Sequence, residues 1–485
     1  MPYGSNVAKN AAWLMLATTG QKVLAFVSFI IVARLAGADI TGAYFYAISI
    51  TSIFVTFADL GMTPVVIRAI SGHREDSERL LGAAIRAKAI LAPIAALAAM
   101  VYAVVAGGDA TIIATVGIAC LVMTADTIHL VIYGALRGKQ NLRPEAIGMF
   151  IGQTLSAIVA AAAAYFGTGP VGLAVALLIS STWNVGWSLF QLKKFKIAAS
   201  EPRKSDFRLL AREAVPFALA GIAVKVYSYV DSLFLNIFHG VTAVGMYAVA
   251  YKLTYALQFL PLTFTAALYP ALSAGFAKGE KEDVRNTFLG ALRLMAAIGF
   301  VLTAGLSALA PRIIPLVYGV QYLDSVPALS VLPWVLLPIF MDFPIGALLN
   351  ASHRAHLKTT AMLFTMVLNV VLNLVLVPLY GPVGAAWAGV VSFWVLFFIG
   401  LGFTASSAGG VSHLLWLAFR GLFAAAVSWC AWRLVGERMD LIAAMCFGGA
   451  VAVVMAFVTR LVTVDDIFTV WRRFRPSSKL ESVHD

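Results

Sequence analysis

Charged side chains are scarce in this chain. Only 12% of its 485 residues are Asp, Glu, Lys or Arg, whereas 61% are hydrophobic. A soluble domain carries about twice that charged fraction. The apolar residues form runs of roughly 20 or more, long enough to cross a bilayer as helices. The alternating ten-residue segments of a transmembrane barrel are lacking. The composition therefore predicts an all-α, polytopic membrane protein.

Signals of enzyme or metal chemistry are also lacking. The three cysteines, Cys120, Cys430 and Cys446, lie in apolar segments, without the spacing of a disulfide framework or a metal motif. There is no Walker motif, no Gly-rich nucleotide loop and no nucleophile beside a base. The loops are too short for a catalytic domain. We therefore expect no enzyme activity, no ATP hydrolysis and no cofactor.

Fourteen apolar spans are predicted, at 8–36, 43–67, 84–106, 110–136, 143–166, 169–192, 209–238, 243–273, 286–309, 317–349, 356–379, 382–405, 412–435 and 438–463. Lys and Arg concentrate in the loops after even-numbered spans, most densely at 193–208. The positive-inside rule then places both termini in the cytoplasm. Arg312 and Arg433 depart from the rule. The net charge of +12 reflects this topology, so no nucleic-acid partner is expected. The first span lacks a cleavage site and is expected to be retained.

An internal repeat divides the chain. GADITGAYFYAIS at 37–49 aligns with GVTAVGMYAVAYK at 240–252, and GPVG occurs at both 169–172 and 381–384. A unit of six helices returns the chain to the same side, so the repeats are parallel and related by an axis along the membrane normal. The predicted parts are an N-lobe (1–196), a linker (197–208), a C-lobe (209–406), two further helices (407–465) and a cytoplasmic tail (466–485).

Two lysines lie deep inside repeat-related spans. A charge at the bilayer centre costs roughly 2.5–3.5 kcal/mol on insertion scales, so it needs a partner or a function. Lys22 and Lys225 are separated by the repeat offset of 203 residues, which predicts equal depth in the two lobes. A symmetric pair of cations favours a shared anionic ligand. The alternative is that each lysine pairs with a carboxylate of its own lobe and only stabilises the bundle.

Further polar residues of the spans are candidates for the same site or for ion coupling. Substrate-binding candidates beside the two lysines are Gln21, Lys252, Tyr255 and Arg293. Ion-coupling candidates are Asp59, Asp126, His129 and Asp231. A histidine titrates near neutral pH and could relay a proton, although a satisfied hydrogen-bond cluster explains the same pattern.

The opening stretch resembles a known family. Gln21, ARLAGADITGAYFYAIS and ADLGMTPVVIRAIS in the first half, and VDSLFLNIFHGVTAVGMYAVAYKL at 230–253, are similar to Wzx-like polysaccharide flippases. These belong to the multidrug/oligosaccharidyl-lipid/polysaccharide exporter superfamily. The resemblance implies an alternating-access flippase of the bacterial inner membrane with a cationic cavity. Its substrate would be a polyprenyl-pyrophosphate-linked oligosaccharide. Implied partners are this lipid-linked glycan, membrane lipids, and the glycan polymerase and export machinery.

Other functions stay open. A cation-coupled multidrug exporter of the same superfamily would be expected to have an acidic or apolar cavity, which the mid-membrane lysines disfavour. A lipid II flippase has a similar number of helices. A scaffold or enzyme of glycan assembly would transport nothing. The sequence does not specify the glycan, the coupling ion or the oligomeric state.

Overall fold

The computed structural model describes residues 3–436 and 438–463, with side chains from Thr19 onward except that of Ala408. The predicted tail at 466–485 lies outside the described residues. The helices are α1 Tyr3–Asp59, α2 Met62–Ser71, α3 Ser77–Val105, α4 Ala110–Gly138, α5 Arg143–Tyr165, α6 Gly169–Lys194, α7 Lys204–Ala256, α8 Phe259–Lys278, α9 Lys281–Ala308, α10 Ala310–Val317, α11 Val326–Val331, α12 Leu336–Ala351, α13 Ala355–Ala408, α14 Val411–Gly436 and α15 Leu441–Val458. Short 3-10 helices lie at Val320–Ser325 and Leu332–Val335. The described residues contain no β-strand.

Three of the longest helices are hairpins. A single glycine inside each has non-helical backbone angles: Gly37 in α1, Gly240 in α7 and Gly381 in α13. All three have positive φ, a conformation that only glycine adopts without strain. The chain reverses at these glycines; in α1 the rings of Phe29 and Phe45, on either side of Gly37, both lie beside the Lys252 Nζ.

The hairpin of α7 is demonstrated by a hydrogen bond across it. Asp231 and Tyr247 are 16 residues apart and would be separated by about 24 Å in a straight helix. The Tyr247 hydroxyl nevertheless donates to Asp231 at 2.5 Å. In α13, Asn369 similarly donates to Ser392 at 3.1 Å across the bend at Gly381. The two arms of each helix are therefore antiparallel.

Eleven of the described helical segments are long and apolar enough to cross a membrane. Counting each glycine-bent segment as two gives fourteen, the number predicted from the sequence. The chain is a multi-pass membrane protein.

The repeat predicted from the sequence is present in the backbone. Gly37 has φ 80° and ψ 176°, and Gly240 has φ 79° and ψ 177°. The turns that follow them pack together through two further repeat-related glycines. A Cβ on Gly42 would lie 1.9 Å from the Val241 carbonyl oxygen. One on Gly245 would lie 2.0 Å from that of Ala38. This reciprocal contact has the two-fold symmetry expected of a parallel repeat.

The second arms of these two hairpins are interrupted, which the sequence did not predict. Helix α1 ends at Asp59, and Leu60 and Gly61 take left-handed angles before α2 begins. Helix α7 ends at Ala256, and two residues separate it from α8. The predicted tenth span, 317–349, is also divided. A short 3-10 helix at 332–335 precedes α12, and α12 then continues through Pro338 and Pro344.

Interresidue contacts divide the described chain into two units. The first comprises the described parts of Met1–Thr263, together with Ala310–Leu332 and Arg354–Leu396. It holds α1–α7, in which α1 packs against α7. The second comprises Phe264–Leu309, Pro333–His353 and the described parts of Phe397–Asp485. It contains α9, α12, α14 and α15. The six-helix lobes drawn from the sequence stay a prediction.

Candidate functional site

Lys252 lies on the second arm of the α7 hairpin and faces the α1 hairpin. Its Nζ is 5.5 Å from the ring centroid of Phe29 and 5.3 Å from that of Phe45. These rings come from opposite arms of α1 and stabilise the cation through their π faces. No carboxylate in the described part of the chain forms an ion pair with Lys252. Among the described residues, this ammonium group is therefore held by aromatic rings alone.

Lys225 lies on the first arm of the same hairpin. Its Nζ is 5.4 Å from the ring centroid of Tyr229, one turn farther along. The side chain is half-buried. The carboxylate of Asp126 on α4 is near enough to interact electrostatically with it, but no ion pair to Lys225 is formed within the described residues. Lys225 is thus only partly neutralised.

Tyrosine rings connect the two lysines. Tyr229 contacts Tyr251 across the hairpin, with centroids 6.3 Å apart, and Tyr251 contacts Phe45 at 5.6 Å. Tyr251 also packs on Tyr255 at 4.3 Å. The first two spacings fall in the range of favourable aromatic pairs, and the third is slightly shorter. We call Tyr229, Tyr251, Tyr255 and Phe45 the aromatic wall; it extends from Lys225 to Lys252.

The other predicted substrate residues are not part of this wall. Lys22 is exposed on the first arm of α1, and Gln21 beside it is half-buried. Neither makes a side-chain hydrogen bond or ion pair within the described residues. Arg293 is half-buried on α9 and belongs to the second unit. Tyr255 and Lys252 are therefore the predicted candidates that the structure brings together with the Lys225 region.

Asp59 has an ion-pair partner that the sequence did not reveal. Lys88 on α3 is completely buried and pairs with Asp59. Thr63 donates to the same carboxylate at 2.7 Å, and Lys88 donates to Thr63 at 3.0 Å and to the carbonyl of Thr127 at 3.3 Å. Three elements therefore satisfy one cation. This arrangement is that of a structural ion pair, since both charges are compensated.

Asp126 and His129 form the predicted cluster on α4. The His129 Nε2 lies 3.0 Å from Asp126, and Ser181 of α6 donates to the same carboxylate at 2.5 Å. Tyr133 donates to Asn184 at 2.8 Å. His129 is nearly buried, and its Nδ1 has no hydrogen-bond partner among the described residues. The cluster joins α4 to α6 and leaves one nitrogen free.

Asp231 is buried within the α7 hairpin. It accepts hydrogen bonds from the Tyr247 hydroxyl at 2.5 Å and from the Ser232 amide at 2.7 Å. No Lys or Arg pairs with it within the described residues. Burying a carboxylate without a cation is costly, and the two donors offset part of that cost.

Two kinds of residue were missed by sequence reasoning. Lys88 falls within the predicted span 84–106 but was not singled out; because α3 begins at Ser77, Lys88 lies about three turns inside the helix. Its distance from the helix start was the available signal. Phe29 and Phe45, the rings beside Lys252, were not recognised because they lie on the other hairpin and meet Lys252 only in the folded chain.

Residues 7–276 match the family described as polysaccharide biosynthesis protein, and residues 216–375 match MatE. Over 394 residues the chain is 23% identical to the probable low-salt glycan biosynthesis flippase Agl15 of Haloferax volcanii. That similarity covers 80% of this chain and 82% of the relative.

Solved transporters share the architecture. The lipid II flippase MurJ in an inward closed conformation superposes with a TM-score of 0.74 at 13% identity, covering 94% of this chain and 99% of that one. An inward-facing multidrug resistance MATE family transporter of the MOP superfamily superposes with a TM-score of 0.65 at 17% identity. It covers 80% of this chain and 95% of its own. The chain thus shares the fold of these two proteins.

Proposed function

Because the chain belongs to the polysaccharide biosynthesis protein family, we propose that it is a flippase for a lipid-linked glycan. It moves a polyprenyl-pyrophosphate-linked oligosaccharide from the cytoplasmic to the outer leaflet of a bacterial cytoplasmic membrane by alternating access. Both termini face the cytoplasm. The relative named a glycan biosynthesis flippase supports this class of substrate, and the transporter fold supports the mechanism.

The observation that carries the proposal is the pair of lysines joined by the aromatic wall. Lys225 and Lys252 have no ion-pair partner among the described residues, so their ammonium groups are available to an anion. A pyrophosphate provides several anionic oxygens for charge-assisted hydrogen bonds. The apolar faces of sugar rings pack against aromatic rings. One wall therefore offers contacts to both parts of the head group.

Such a site removes the main obstacle to flipping. A pyrophosphate–sugar group cannot cross hydrocarbon unaided, since desolvating its charges costs far more than thermal energy. Ammonium groups and hydroxyls replace that hydration during transit. The polyprenyl chain stays in the bilayer.

We propose that carboxylates in the membrane spans couple transport to an ion, and we rank them by whether a cation of the protein already neutralises them. Asp231 is buried without a cation partner in the described chain, and Asp126 hydrogen-bonds a histidine, so both can gain or lose a proton or bind a cation. Asp59 ranks lower, because Lys88 already neutralises it.

Two other functions have specific support. The lipid II flippase superposes over 94% of this chain, which favours a cell-wall precursor as the substrate. The MATE family likeness favours a drug exporter. A drug cation would be repelled by Lys225 and Lys252, so we place that function behind the two glycan carriers.

The test is transport by the full-length protein in liposomes. Fluorescent polyprenyl-pyrophosphate oligosaccharide, labelled lipid II and a cationic dye are offered separately, with empty liposomes as the control. We expect the oligosaccharide to reach the opposite leaflet while the dye is not moved. Transport of lipid II alone would identify the protein as a lipid II flippase and not as an oligosaccharide flippase. Dye transport without glycan transport would show a drug exporter, and no transport of any substrate would contradict all three.

A further inference from the structure

The second unit presents a stacked aromatic surface on α14. The rings of Trp416 and Phe419 are 5.4 Å apart, and those of Phe419 and Phe423 are 6.2 Å apart, both nearly parallel. About half of each side chain is exposed: 52%, 53% and 48%. We call these three residues the aromatic stripe. Within a transmembrane hairpin, an exposed aromatic stripe contacts lipid chains, and tryptophan is typical of the membrane–water interface.

Two arginines lie at one end of this stripe. The guanidinium carbon of Arg420 is 5.2 Å from the ring centroid of Trp416. Arg460 is the second residue after α15 and has the left-handed φ of 53°, which is strained for a side chain of this size. Both arginines and the stripe line one open cavity of about 290 Å³. Two cations from different helices thus meet at one small concave surface.

These arginines have no carboxylate partner in the described chain. Asp440, the acidic residue in the described part of the hairpin, lies at its opposite end. Twenty residues separate it from either arginine, about 30 Å along a helix. An uncompensated guanidinium in this position needs an external anion or water.

The depth of the arginines fits a phosphate in the lipid head-group layer. Arg420 is nine residues into α14, and helical side chains point toward the helix N-terminus. Its guanidinium therefore lies level with Trp416, about 8 Å from the helix start. A guanidinium binds phosphate through two parallel N–H donors. The adjoining Phe419 and Phe423 would then contact the acyl chains.

We propose that the α14–α15 hairpin binds a resident anionic phospholipid. Arg420 and Arg460 hold its phosphate in the cavity, and the aromatic stripe packs against an acyl chain. Charge complementarity identifies the occupant, because a zwitterionic lipid would bring its own cation to the two arginines. The site shares no residue with the aromatic wall or its two lysines and does not depend on what the protein transports.

The test measures lipid retention by the delipidated full-length protein. Phosphatidylglycerol and phosphatidylcholine are titrated separately, and bound lipid is counted by native mass spectrometry. We expect phosphatidylglycerol to be retained about tenfold better, and the preference to fall below about twofold in Arg420→Gln/Arg460→Gln. Arg438→Gln removes a cation at the other end of the hairpin and should keep the full preference. Arg420→Lys keeps the charge but loses the two parallel N–H donors of the guanidinium, so its preference for phosphatidylglycerol should be intermediate.

Three results would overturn the proposal. One is equal retention of the two lipids by the wild-type protein. Another is an unchanged preference in the double variant, which would place the lipid elsewhere. The third is arginine-dependent displacement of phosphatidylglycerol by an equal concentration of polyprenyl phosphate, which would assign the site to the carrier lipid. Circular dichroism of each variant confirms that the helices are retained.

Discussion

The hairpins of α1 and α7 have the same backbone but different side-chain chemistry. Their bends at Gly37 and Gly240 agree within 1° in both φ and ψ, and Lys22 corresponds to Lys225. The repeat therefore reproduces the path of the chain and the position of one cation.

The second arms differ in what they carry. Lys252 and Tyr255 of α7 correspond to Ser49 and Ser52 of α1, 203 positions earlier. The Ser49 hydroxyl donates a hydrogen bond to the Phe45 carbonyl, whereas the Lys252 ammonium group lies beside two aromatic rings. The comparison indicates that the fold is symmetric while the proposed binding chemistry is concentrated on the α7 side.

The largest effect is expected where the two hairpins touch. A Cβ on Gly245 would lie 2.0 Å from the Ala38 carbonyl oxygen, which belongs to rigid backbone. Gly245→Val should therefore prevent assembly, and little protein should be recovered from the membrane on an immunoblot. Gly221→Ala, on the same helix with no atom within 4 Å of the added Cβ, should be recovered normally. Normal recovery of Gly245→Val would refute the reciprocal glycine contact.

The next effect concerns the charge of the first hairpin. Asp59→Asn leaves the completely buried Lys88 without its anion and should lower stability by about 3 kcal/mol, seen as a lower melting temperature in detergent. Asp59→Leu/Lys88→Met removes both charges and should recover most of that loss. If Asp59→Asn melts like the wild type but does not transport, Asp59 couples an ion and the two hairpins are chemically more alike than we infer.

A smaller effect is expected within the second hairpin. Tyr247→Phe removes the 2.5 Å hydrogen bond to buried Asp231 and should cost about 1–2 kcal/mol of unfolding free energy. The repeat-related control is Tyr44→Phe, because Tyr44 makes no side-chain hydrogen bond within the described residues. Equal melting temperatures for the two variants would show that the hairpins do not differ at this position.

The smallest effect lies outside both hairpins, in the loop after α2. Arg74 donates two hydrogen bonds to Asp76, at 3.0 and 2.8 Å, and holds the pKa of that carboxyl below its ordinary value of 3.8. A lowered pKa adds stability above the unfolded value, and this stability is lost as the pH falls through the folded value. Asp76→Asn should therefore cost less than about 1 kcal/mol at pH 7. Melting temperatures of variant and wild type should converge as the pH falls from the ordinary value of 3.8 through the lower folded-state value, and a gap that widens in acid would contradict this assignment.

Much of the fold follows from the sequence. Runs of apolar residues predict the spans, and the paired motifs at 37–49 and 240–252 predict the repeat, because both signals are local or linear. The breaks after Asp59 and Ala256 were not predicted, because the apolar composition continues through both of them. After Asp59, the left-handed backbone angles of Leu60 and Gly61 end the helix.

The candidate site was predicted only in part. Lys225, Lys252 and Tyr255 were recognised because a charge or phenol in an apolar span is conspicuous. Their ring partners were not, because Phe29 and Phe45 look like ordinary lipid-facing residues until the α1 hairpin closes. Which charges are neutralised is a property of tertiary contacts.

The most direct test of the proposed site is transport by lysine variants in liposomes. Lys225→Ala, Lys252→Ala and Lys22→Ala are compared with the wild type at equal incorporation, using labelled polyprenyl-pyrophosphate oligosaccharide. Lys281→Ala, an exposed lysine at the start of α9, is the matched control. We predict that the Lys225 and Lys252 variants fall to the rate of empty liposomes while their melting temperatures stay near the wild-type value, and that Lys22→Ala also loses transport. Wild-type transport rates for Lys225→Ala and Lys252→Ala would contradict the proposed cationic site. So would a failure of these variants to fold, because the lysines would then be structural.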